Sequence, residues 1–176
     1  MYLLPLKRRS DLPTALNELD VDSLLVAPAA TGIRPECVLL IEDSEEAMLL
    51  VRYSLQVYGD GRYLLKWVVN LSDGLGQLSR GGGDIVLLDL GQENGSGPST
   101  LDLVREAASE VPVLVLAGDT REETEFAPAA WGVDDYLVKD QVSGAHLVKA
   151  IGSSIRAKKS LERQKANDDG LIQRLH

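Results

Sequence analysis

The side chains best suited to chemistry in this 176-residue chain are three carboxylates and one amine. Glu42 and Asp43 terminate the apolar run "CVLLI", Asp89 lies near the end of "DIVLLDL", and Lys139 follows "DYLV". If the first two of these runs are neighbouring strands of a parallel sheet, Glu42, Asp43 and Asp89 emerge together at its carboxyl edge, where open α/β sheets bind ligands. Like charges that close repel unless a cation sits among them or one takes up a proton, and hard oxygen donors suit Mg²⁺ with several waters retained. Lys139 reaches the same edge, where its point charge can meet an anion held by such a metal. An aspartate flanked by a metal and an ammonium is set up to attack a phosphoryl group, which makes Asp89 the candidate nucleophile. Taken singly, Asp43 or Asp89 reads more readily as a helix cap or a solvated loop charge. Their convergence with Glu42 and Lys139 at the ends of strands in one sheet is what points to a site.

The elements that must position these residues are five apolar runs, 37–41, 63–69, 84–90, 111–117 and 135–138. They alternate with segments of helical period, the pattern of a parallel sheet with crossover helices. The first helical segment, "SEEAMLLVRYSLQVY", has Ser44 as N-cap. The second, "LSDGLGQLSRGG", is expected to end on the glycine triplet 81–83, and the third is "PSTLDLVREAASE". The fourth, "TREETEFAPAAWG", has Thr120 as cap and Gly132 as terminator but carries Pro128, which removes a backbone donor. A fifth helix is expected from near Ser143 to well past Arg163. Residues 1–36, with four prolines and the basic triplet "KRR", read as a short helix at most and then a linker. The expected organisation is an N-terminal extension over 1–36, a domain over 37–157 and a helical tail or linker over 158–176.

Composition bounds the rest. Apolar residues make up 44% and charged residues 26%, with a net charge of −9, which suits a folded protein. No apolar run approaches the ~20 residues of a membrane span, so a cytoplasmic location and no membrane partner are expected. The acidic balance argues against direct nucleic-acid binding, and the basic cluster from Arg156 to Lys165 lacks interleaved aromatics. Cys37, the single cysteine, begins an apolar run and reads as a buried structural thiol. Trp67 and Trp131 read as packing residues, and His146 and His176 as surface residues too few for a zinc site.

From Cys37 to about Ala157 the chain resembles the receiver domain of two-component response regulators, through "VLLIEDS", "DIVLLDL", "VPVLVLAG" and "GVDDYLVKDQ". The resemblance implies a flavodoxin-like (βα)₅ fold, a doubly wound five-stranded parallel sheet in the order 2-1-3-4-5. It implies that Asp89 accepts phosphate from a sensor histidine kinase or phosphotransfer protein. Glu42, Asp43 and Asp89 would hold Mg²⁺ with a backbone carbonyl, and Lys139 would contact the phosphoryl group. Tyr136 falls where receivers carry the aromatic that changes rotamer on activation. Output would pass by protein contact, to a homodimer partner or a downstream output domain or protein, and self-catalysed phosphotransfer and dephosphorylation would be the only enzymatic activity.

The chain departs from the family pattern at several points. Ala117 stands where the family carries Thr or Ser, so no hydroxyl is available there for a phosphoryl oxygen unless Thr120 or a water substitutes. A bond of that kind is worth ~1.5–3 kcal/mol, so its loss is expected to weaken coupling to the signalling face more than to block phosphorylation. Lys139 is followed by Asp140 instead of the usual proline, and the loop "GQENGSGP" after Asp89 is long. These departures keep a second reading open, a phosphorylation-independent docking or dimerisation module. A third, a metal-dependent phosphohydrolase, needs a substrate pocket for which the short loops leave little room.

Overall fold

A computed structural model of the protein describes residues 34–89, 98–117, 135–139 and 141–174. The expected N-terminal helix and linker up to residue 33, the loop 90–97, the fourth helix with Thr120, Pro128, Trp131 and Gly132, Asp140 and His176 all lie outside the described residues. Five strands form one parallel sheet: β1 (Glu36–Ile41), β2 (Tyr63–Val68), β3 (Ile85–Asp89), β4 (Val113–Ala117) and β5 (Asp135–Val138). Their order is β2-β1-β3-β4-β5, the doubly wound arrangement expected from the sequence. Four helices are described: α1 (Glu45–Tyr58), α2 (Leu71–Leu78), α3 (Pro98–Ala107) and α4 (Gly144–Arg174).

β1 from Cys37 onward and β3 as far as Leu88 are apolar because both of their faces are covered. Along β1, Val38 and Leu40 face a core shared with Met48, Val51 and Leu55 of α1 and with Leu147, Ile151 and Ile155 of α4. Leu39 and Ile41 face the opposite core, with Leu78 of α2 and Leu101 and Val104 of α3. A strand alternates its side chains between faces, so this two-sided burial locks the register on both sides at once. Gly74 of α2 lies so close to β1 that a Cβ there would sit 2.5 Å from Ile41 Cδ1. The helix therefore rests directly on the residue that precedes Glu42.

Two boundaries differ from expectation. α2 stops at Leu78, short of the glycine triplet, because Gly81 takes a left-handed φ of +71° and the Gly82 N–H returns to the Gln77 carbonyl at 2.9 Å. This is the hydrogen-bonded closure that glycine permits just past a helix. α3 likewise stops at Ala107, short of the expected end at Glu110. α4 runs unbroken for 31 residues, from Gly144 to well past Arg163 as expected. Its first three turns are docked through Leu147, Val148, Ile151 and Ile155, and most of its side chains from Arg156 to Asp169 are exposed. No helix among the described residues is long and apolar enough to cross a membrane.

Candidate functional site at the carboxyl edge

β1 ends at Ile41, and Glu42 extends its ladder by one bond, donating its N–H to the Val68 carbonyl of β2 at 3.1 Å. The chain then turns into α1, one of whose orphan first-turn donors is met by the Ser44 hydroxyl, which accepts from the Ala47 N–H at 3.2 Å. Glu42 and Asp43 are thus fixed between a central strand and a capped helix. The register Ile41↔Leu88 brings Asp89, the last residue of β3, alongside them. Oxygens of Glu42, Asp43 and Asp89 all lie within 4.8 Å of one another. Glu42 and Asp89 are buried and Asp43 is exposed, so the cluster opens to solvent on the Asp43 side.

Lys139 arrives from β5. Its backbone N–H donates to the Ala117 carbonyl at 2.8 Å, which ties it to the end of β4. Its ammonium spans the cluster, 2.6 Å from Glu42 Oε2 and 3.1 Å from Asp89 Oδ1. The other Glu42 oxygen accepts the Ser44 N–H at 3.0 Å. Burial pushes the Glu42 carboxyl up to about 7, against the pull of the Lys139 ammonium and with that of the Asp89 charge. For Lys139, burial alone would lower the pKa, but the Asp89 and Glu42 charges and their hydrogen bonds more than offset it, and the net shift is upward.

The four residues singled out from the sequence are therefore together at one edge. Ala117 ends β4, is buried and offers no side-chain donor. Tyr136 is half-buried against the core on the α2 and α3 side, with its hydroxyl oxygen shielded from solvent. Cys37 is buried at the opposite edge, its thiol 3.4 Å from the Gly82 carbonyl and pushed up by burial, in keeping with a structural role. His146 is exposed on α4. From the sequence alone, Trp67 reads as a packing residue. It does pack against the core, but its indole N–H also donates to the Glu42 carbonyl at 2.6 Å. The available signal was its chemistry, since a half-buried indole needs an acceptor.

Residues 38–152 match the family model described as "Response regulator receiver domain". The chain belongs to that family. Over 102 residues it is 31% identical to the swarming motility regulation protein RssB of Serratia marcescens, covering 58% of this chain and 45% of that one. Over the same number of residues it is 30% identical to the transcriptional regulatory protein PcoR of Escherichia coli, covering 44% of that protein. The receiver thus spans a little under half the length of these two relatives. Among solved structures, a response regulator receiver domain from Clostridium thermocellum superposes with a TM-score of 0.62 at 22% identity, covering 72% of this chain and 98% of that one.

Proposed function

We propose that this receiver takes a phosphoryl group onto Asp89 from a phosphohistidine donor, on a sensor histidine kinase or a phosphotransfer protein. The observation that carries the reading is the arrangement of Lys139 across Glu42 and Asp89, with Asp43 open to solvent beside them. In the transfer, an Asp89 carboxylate oxygen forms a P–O bond as the donor's P–N bond breaks, and the imidazole departs with its electron pair. Lys139 supplies a fixed positive charge beside the phosphoryl oxygens, and β1 and β3 hold the reacting atoms without reorganisation.

Glu42, Asp43 and Asp89 form an all-oxygen donor set that fits Mg²⁺. When bound, Mg²⁺ would offset negative charge on the transferring group. The working unit is residues 37–157, with 1–36 as an extension and 158–176 as a tail or linker. We place it in the cytoplasm, signalling by protein contact to a homodimer partner or a downstream output domain or protein, with no catalysis beyond its own phosphotransfer and dephosphorylation.

A second reading, a docking module that does not use phosphorylation, is favoured by Ala117, whose buried methyl cannot bond a phosphoryl oxygen. One experiment separates the two. With acetyl phosphate and Mg²⁺, the wild-type chain is expected to gain a single hydroxylamine-sensitive phosphoryl adduct by intact mass, and Asp89→Asn or a metal-free sample none. An adduct that survives Asp89→Asn would move the acceptor elsewhere. No adduct from acetyl phosphate or from a phosphohistidine donor would favour the docking module.

A further inference from the structure

The indole of Trp67 does more than fill space. β2 pairs with β1 in the register Leu40↔Trp67 and Ile41↔Val68, and β2 ends at Val68. Beyond it the chain turns into the N-cap of α2, where Asn70 accepts the Asp73 N–H at 2.9 Å. In a parallel ladder the acceptor that follows Glu42 N–H→Val68 O is the Glu42 carbonyl, and its backbone donor would be two residues past Val68. That position has already been diverted into the cap. The Trp67 side chain reaches up from inside the strand and donates to the carbonyl instead.

This bond has a consequence for the next residue. The peptide from Glu42 to Asp43 is planar and trans, so its N–H points opposite to its C=O. Aiming the Glu42 carbonyl at β2 therefore aims the Asp43 N–H toward β3, on the other side of β1. Glu42 is held through both its carboxylate oxygens, by Ser44 and Lys139, and Asp89 belongs to a central strand. Asp43 is the exposed member of the cluster, and the plane of its preceding peptide is set by an indole.

We infer that Trp67 is a positioning residue for the cation site, fixing the Glu42–Asp43 peptide so that the Asp43 carboxylate is presented beside Asp89. The inference rests on the divalent-metal reading of the cluster. Trp67→Phe keeps most of the packing and removes the donor, whereas Leu65→Ala, on the same face of β2 and against the same core, removes packing and keeps the donor.

The experiment uses the full chain and Mn²⁺ as probe, counting free ion by electron paramagnetic resonance, with unfolding midpoints measured on the metal-free proteins. Trp67→Phe is expected to raise the Mn²⁺ dissociation constant by about threefold to tenfold, the range of one hydrogen bond, while Leu65→Ala binds as wild type does even where it unfolds sooner. In ¹⁵N spectra of the wild type, the Trp67 indole N–H is expected to shift on Mg²⁺ addition. Equal Mn²⁺ affinity in wild type and Trp67→Phe, or an affinity loss that follows the unfolding midpoint in both variants, would overturn the positioning role and leave the metal site standing. Absence of any Mn²⁺ binding by wild type would overturn both.

Discussion

The sheet holds one lysine–glutamate pair at its carboxyl edge and two at its amino edge, and the two edges treat Glu42 and Glu110 in opposite ways. At the carboxyl edge, Lys139 meets a Glu42 side chain that is 1% exposed, and burial drives that carboxyl upward. At the amino edge, Lys158 of α4 meets Glu110 at 3.1 Å and Lys159 meets Glu36 at 2.7 Å. Glu110 is 64% exposed, and its carboxyl is lowered by the Lys158 hydrogen bond and charge, with little desolvation to oppose them. The residue types and separations are alike, so burial decides the outcome. In water the pair is a minor, screened attraction. Out of water each charge has lost hydration that its partner only partly replaces, so the group is poised to take up a proton or a metal.

The comparison is tested most sharply by deleting the lysines one at a time. Lys139→Met leaves Glu42 and Asp89 facing each other with 1% and 7% of their side chains exposed. Breaking a buried pair ordinarily costs ~3–5 kcal/mol, and proton uptake by Glu42 relieves part of that, so a loss of about 2 kcal/mol or more is expected near neutral pH. Urea unfolding without divalent ions measures it, and added Mg²⁺ should return part of the loss. The same variant should form the Asp89 adduct far more slowly. At the other end, Lys159→Met is expected to cost ~0–1 kcal/mol by the same assay, shrinking further in high salt. Equal costs at the two ends would mean that burial is not what separates them.

The sheet and the acidic edge were legible because both follow from short-range pattern. An apolar run that stops on "ED" after Ile41, or on Lys139 after Val138, states where a strand ends and which charge it delivers. Doubly wound topology then brings those ends together. What could not be read depends on register or on tertiary cover. The Trp67 bond joins residues 25 positions apart and exists because Leu40 pairs with Trp67. The deep burial of Glu42 needs Lys139 from β5 beside it.

The smallest effect belongs to Lys158, and its signature lies in its pH dependence. The Glu110 carboxyl sits below its ordinary value of 4.5 in the folded state because the Lys158 ammonium bonds and attracts the charged form. A folded pKa below the unfolded one means that the unfolded chain binds more protons between the two values, so stability rises with pH across that window. The contribution is therefore complete above pH 4.5 and is lost as pH falls through the folded value. Lys158→Met should accordingly separate from wild type at neutral pH and converge on it as pH drops through the lowered folded value of Glu110, apart from a remainder left by the 3.4 Å contact of Lys158 with the Ser109 carbonyl, which does not titrate. Thermal midpoints of the two proteins over that range measure the gap. A gap that widened on acidification would mean that Lys158 holds α4 against the sheet through something other than the Glu110 charge, and the contrast between the two ends of the sheet would then rest on Lys159 and Glu36 alone.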